Sequence, residues 1–412
     1  MHPQREQLHN ELHARPSIYF AGPAHLHHYA FLDTDGVCDG IVRRLCELTG
    51  AQPAPDDVQG ILTLDGDRVL KWERHTEFFT LTLMAPIADG EPLWPAPPRR
   101  LAEIAEAHHE ALISASLIRV ENEADWAGDT AHYGFRDPAG SRVAGGDATA
   151  WSDFQLDEAG INRLLIVNRA LNDFRLGRIA RRLLEIETYR MMASLALPQA
   201  KALGAELAAF EAELGELSDR NAEDRPEGPR PLLAAIASLS ARLERSGARS
   251  RHRFAATEAY ARIVFARVEE LRETRVGDCQ RLGIFLMRRF QPTVRYCAAV
   301  DRRQERLAEN VARLNDLLRT RAQVEIEEQN VEMLRSLNER TSSQLKIQKA
   351  VEGLSIIVIS YYIFSLIKLA LVSLEALGMA IAPWRATAIF APLAILVIAV
   401  LAWRIWRVRR HE

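Results

Sequence analysis

The sequence predicts an α+β domain of ferredoxin-like type, followed by a long-helix bundle and stalk and two C-terminal transmembrane helices. Three observations predict it. Strand-like and helix-like pieces alternate as β-α-β-β-α-β over residues 24–122. Helical periodicity takes over after residue 157. Residues 351–374 and 387–403 are two apolar runs of membrane-spanning length, since roughly 20 helical residues cross a ~30 Å hydrocarbon core.

The elements follow in order. Residues 1–22 form a polar arm closed by Pro16 and the Gly22-Pro23 pair. Residues 23–156 form the α/β domain. Within it, 26–32 is strand-like, and 40–49 reads as a helix with Ile41, Leu45 and Leu48 on one face. Residues 58–64 read as a strand, joined by Asp65-Gly66-Asp67, a hairpin signal, to a long strand over 68–84 that is broken in its middle. A proline-rich loop (86–98), a helix near 99–109 and a strand at 111–120 complete the unit. The glycine-bearing residues 123–150 add turns and a small hairpin.

A helical domain is expected over 157–292. Asp157 is its N-cap, and Leu164, Leu165 and Val167 begin a helix that runs toward Pro198. A second helix covers 199–218, and the charged, Pro/Gly-containing residues 219–231 form a linker. Further helices lie at 232–246 and 253–275, with a last one near 278–290 stopped by Pro292. Residues 293–350 contain neither proline nor glycine and predict one stalk helix of roughly 85 Å. Leu317, Val324, Val331, Asn338 and Leu345 repeat by sevens, so a homo-oligomer through the stalk and membrane helices is expected. Thr320, Glu327 and Thr341 interrupt the companion seam, which argues against a simple two-stranded coil.

Residues 351–412 read as a two-span hairpin with a basic tail. Lys346 and Lys349 precede the first span; Arg404, Arg407, Arg409 and Arg410 follow the second, while the connector carries Arg385. By the positive-inside rule both termini are cytoplasmic. The first residues lack the apolar core of a signal peptide. A formal charge of −3 over 412 residues gives no footprint for nucleic acid. The four cysteines, Cys38, Cys46, Cys279 and Cys297, are scattered, as expected of reduced thiols rather than a disulfide framework.

Two stretches carry candidate chemistry. Trp72, Glu73, Arg74, His75 and Glu77 form the most unusual polar run. On a continuous strand Glu73, His75 and Glu77 share one face, a row suited to cation binding or proton transfer. His9 and His13 are one helical turn apart, and His25 and His27 share a strand face that His28 does not. No cofactor is predicted beyond a divalent metal held by these four histidines if the arm folds back on the first strand. The spacing fits neither a metalloprotease helix nor a phosphate-binding loop.

The blocks 11–16 (ELHARP), 72–78 (WERHTEF), 184–192 (LEIETYRMM) and 351–355 (VEGLS), with 359–362 (ISYY), resemble the bacterial domain-of-unknown-function 3422 family, from the arm through the first span. Members of that family are described as membrane-anchored, which implies a bacterial inner (plasma) membrane and supplies no catalytic residues. The layout is also similar to CorA-type magnesium channels. Those carry Gly-Met-Asn after the first span, where this chain has Gly378-Met379-Ala380. A membrane-anchored cytoplasmic scaffold or sensor is the leading expectation. A CorA-like divalent-cation transporter, with Ser355, Ser360, Tyr361 and Ser365 lining a pore, is the alternative. A membrane-tethered enzyme using the Glu-His-Glu row ranks third.

Overall fold

The computed structural model describes residues 17–34, 36–50, 58–223 and 229–377. It also describes 2, 4, 5 and 9 at one end and 384, 387–388, 391–392, 394–400 and 403 at the other. It divides into two units, Met1–Asp316 and Leu317–Glu412. The first is built on one open, mixed sheet. Among the described residues its strands are β1 (Ala24–Leu32), β2 (Gln59–Leu64), β3 (Arg68–Arg74), β4 (Phe78–Pro86), β5 (Leu112–Asn122), β6 (Ala139–Val143), β7 (Ala148–Ser152), β8 (Asn162–Asn168) and β9 (Thr274–Arg275). They lie in the order β2-β3-β4-β1-β5-β8-β7-β6-β9. Every neighbouring pair is antiparallel except β5 and β8.

The ferredoxin-like expectation is overturned at residues 68–86. That run is two strands paired with each other, because the chain reverses at 75–77 and the His75 N–H donates to the Phe78 carbonyl at 2.8 Å. The inserted hairpin gives β-α-β-β-β-α-β, and β8, β7, β6 and β9 continue the same sheet beyond β5. The expected helix from Asp157 is overturned too. Residues 162–168 are β8, buried on both faces beside β5, so Leu164, Leu165, Ile166 and Val167 are all apolar rather than alternating. A short strand of this kind has the same hydrophobic run as a buried helix turn. The Asp65-Gly66-Asp67 turn does join β2 to β3, with Gly66 and Asp67 both at positive φ.

Helices cover both faces. Ile41 and Leu45 of α1 (Val37–Thr49) and Leu101 and Ile104 of α2 (Arg99–Ala107) pack on Tyr29, Phe31, Leu70, Trp72, Phe79 and Leu81. The opposite face, with Leu26, Met84, Ile118, Val120, Leu164 and Ile166, is covered by α3 (Asp173–Ser194), α5 (Arg230–Glu270) and the first turns of α6 (Leu282–Ala376). Helix α4 (Ala196–Ala222) packs on α5. Helix α3 starts where Asn172 caps it, its side chain accepting from the Arg175 N–H at 3.0 Å. On α5 the buried positions Ile236, Leu239, Leu243, Ser246, Ser250, Phe254, Thr257, Ala261 and Val264 recur every three or four residues.

Pro292 does not stop a helix, as the sequence suggests it would; it lies inside α6. An internal proline costs ~3 kcal/mol. The buried side chains on either side of it, Leu286, Phe290, Cys297 and Val300, hold the helix in place.

Within α6 the buried stripe Leu307, Val311, Leu314 and Leu318 ends where the second unit begins. Residues 327–350 are exposed throughout, and the apolar stretch that follows is exposed as well. Among the described residues one helix, not two, is long and apolar enough to cross a membrane. A span needs about 20 continuous helical residues, and among the described residues only α6 supplies such a stretch. One candidate helix therefore replaces the two-span hairpin with both termini cytoplasmic. Arg404, Arg407, Arg409 and Arg410 lie outside the described residues, while Lys346 and Lys349 are exposed on α6.

Candidate functional site

Polar side chains from three strands and one helix converge inside the first unit. Strand alternation turns Lys71 and Glu73 of β3 toward α3, together with His28 of β1 and Thr80 and Thr82 of β4. Helix α3 presents Gly177, Arg181, Leu184, Glu185, Thr188 and Tyr189, which recur at three, four and seven residues and so share one face. The segment 17–20 closes the side, and glycine is required where it crosses the helix. A Cβ on Gly177 would lie 2.1 Å from the Ile18 carbonyl oxygen. Together these groups enclose a cavity of about 50 Å³, room for one or two molecules the size of water.

His28 is the centre of this chamber. Its Nδ1 lies 2.8 Å from Thr82 Oγ1 and its Nε2 lies 2.9 Å from Thr188 Oγ1. In the neutral ring one nitrogen accepts from a threonine and the other donates. Burial, reinforced by Lys71 and His75, pushes its pKa down to about 3. Lys71 Nζ lies 2.9 Å from Glu73 Oε1; Lys71 is buried and Glu73 largely so. Burial lowers the Lys71 pKa, and Glu73 opposes that shift. Arg181 donates to Glu185 at 2.6 Å, and Glu185 also accepts from Arg267. The chamber holds a neutral imidazole beside balanced ion pairs, and both imidazole nitrogens are engaged by the protein.

Of the expected Glu-His-Glu row, Glu73 and His75 both line the chamber, while Glu77, beyond the end of β3 at Arg74, turns to other partners. His75 stacks on Phe78 with ring centroids 4.1 Å apart. Glu77 accepts from Arg253 Nη2 and from the Tyr260 hydroxyl, each at 2.8 Å. Trp72 turns to the other face and stacks on Phe79, and Arg74 pairs with Asp39 at 2.6 Å. Sequence reasoning missed His28, Lys71, Thr82 and Thr188 as a group. The one local signal was that His28 faces away from His25 and His27.

On the opposite face His25 joins a second buried network. Its Nε2 lies 3.0 Å from Arg119 Nη1. Nε2 also lies 3.2 Å from the Leu93 carbonyl oxygen, and Nδ1 lies 3.4 Å from Glu91 Oε2. Arg119 donates to Glu121 at 2.5 Å, and Glu121 accepts from the Tyr133 hydroxyl. Burial lowers the pKa of His25, and it pushes His27 down to about 4. His9 is exposed and His13 lies outside the described residues. Among the described residues no group of three or more His, Cys, Asp or Glu side chains is placed to hold a metal ion.

Of the expected pore residues, Ser355 and Ser360 donate to their own helix, to the Val351 and Ile356 carbonyls at 2.9 and 2.8 Å. Tyr361 and Ser365 are exposed.

The blocks 72–78 and 184–192, far apart in the chain, thus meet at the chamber. No curated protein and no solved structure matches the chain. Residues 1–411 match the family described as "Protein of unknown function (DUF3422)", and the chain belongs to that family.

Proposed function

We propose that this protein is a membrane-anchored scaffold or sensor, held at a bilayer by the apolar part of α6. The observation that carries the reading is the exposure of that stretch: Leu354, Ile357, Ile359, Phe364, Leu366 and Leu369 are each at least half exposed. A contiguous apolar surface of this kind is unfavourable in water and matches the length and composition of a lipid-spanning helix. The first unit, with its polar chamber, is the portion that such an anchor would present to partners. The partner favoured by the exposed Leu317, Val324, Val331 and Leu345 is a second copy of the chain, associating along that helix.

Membrane-fraction partitioning tests the anchor. The full chain should stay in the pellet after alkaline carbonate washing. Ile359→Lys combined with Leu366→Lys should release it, since a lysine in mid-span costs ~2.5–3.5 kcal/mol on insertion scales. Carbonate extraction of the unaltered chain would overturn the reading.

A further inference from the structure

The first unit also carries a groove distinct from the chamber. It has a volume of about 400 Å³ and lies between the β7–β8 turn, the end of α3 and the start of α6. Small-molecule sites span roughly 300–1,000 Å³.

Three features point to what the groove takes. The first is a strained aromatic. Phe154 has φ +52°, a left-handed conformation that a bulky residue adopts only when its surroundings impose it. Here Ser152 Oγ accepts from the Phe154 N–H at 3.0 Å and donates to the Arg163 carbonyl at 2.8 Å. This backbone carries the Phe154 ring, which lies parallel to Phe285 with centroids 5.1 Å apart and planes at 11°.

The second is positive charge held in place. The Arg289 guanidinium sits 3.8 Å from the Phe285 ring centroid, is exposed, and makes no ion pair among the described residues. Arg190 reaches the same groove. Its Nε and Nη2 are spent on Glu187 at 3.0 and 2.6 Å, which leaves three of its five N–H bonds. The third is an acceptor. Asp153 takes the Gln155 N–H on Oδ1 at 3.1 Å and keeps its other oxygen, at a half-buried position on the same wall.

We propose that this groove binds a small aromatic ligand that carries both an anionic group and an N–H donor. The ring would lie against the Phe154–Phe285 stack, the anion would meet Arg289 and Arg190, and the N–H would meet Asp153. Two sources offer that chemistry: an aromatic amino acid, through its carboxylate and ammonium, and a purine nucleotide, through its phosphate and ring amino group.

The test is calorimetric titration of the full chain in detergent micelles, with empty micelles as the blank. L-tryptophan and adenosine monophosphate serve as probes; indole, acetate and inorganic phosphate serve as single-feature controls. One probe should bind while all three controls fail, and which one binds identifies the source. Arg289→Ala should weaken that binding by about tenfold or more, the scale of losing a charge-assisted contact. Phe154→Gly should abolish binding; glycine adopts this backbone without strain, but losing the ring from the core lowers the melting temperature as well, so affinity below that temperature is the readout. The proposal falls if neither probe binds at millimolar concentration. It also falls if Arg289→Ala leaves affinity within about twofold of the parent.

Discussion

Replacing His28 with glutamine tests whether the chamber holds a neutral imidazole. The folded protein keeps the His28 pKa at about 3, against 6.5 in a free side chain. Between those values the unfolded chain binds a proton that the fold excludes. The stability this contributes is complete above pH 6.5 and is lost as the pH falls toward 3. By pH 5 the loss relative to pH 7 is about 2 kcal/mol.

Glutamine carries one acceptor and one amide donor, so it can bridge Thr82 and Thr188 without titrating. Urea unfolding of the parent and His28→Gln in detergent, followed by tryptophan fluorescence at pH 7, 6 and 5, gives the comparison. His27, held at about 4, and the carboxylates titrate in both proteins and cancel. The parent should lose ~2 kcal/mol more than the variant across that range. Parallel pH dependences would refute the neutral, desolvated His28.

Lys71→Met should destabilise by ~2–4 kcal/mol, because it leaves the largely buried Glu73 without its partner. Adding Glu73→Gln should recover more than half of that, as read from denaturation midpoints of the single and double variants. Gly177→Ala should cost ~1–3 kcal/mol or more, because the new methyl meets a backbone oxygen that cannot rotate away. Limited proteolysis should then cut near residues 17–20 first. Glu77→Gln should cost ~1.5–3 kcal/mol, the worth of its hydrogen bonds as a charged acceptor for Arg253 and Tyr260. A melting temperature unchanged from the parent would remove that link.

Local pattern made some of this legible. The β2–β3 turn, α1, α2 and the long α6 follow from turn residues and period, and the alternation of β1 puts His28 opposite His25 and His27. What failed did so for physical reasons. In residues 68–86 strand-forming residues flank the polar His75-Thr76-Glu77, so a strand broken in its middle and a tight hairpin read alike. The doubly buried β8 loses its alternation and passes for helix. The chamber depends on pairs such as His28–Thr82 and His28–Thr188, 54 and 160 residues apart, and no local period encodes them.

The place of β1 in the sheet also sets the order of events on the ribosome. Among the described residues it is the first strand made, yet it sits fourth of nine, between β4 and β5. At ~5–20 residues per second its second neighbour is complete only several seconds after β1 leaves the exit tunnel. During that interval an apolar strand waits with an unpaired edge open to other nascent chains. Slowing synthesis through residues 32–112 should therefore lower the yield of folded, membrane-integrated protein, whereas the same delay after Asn122 should not.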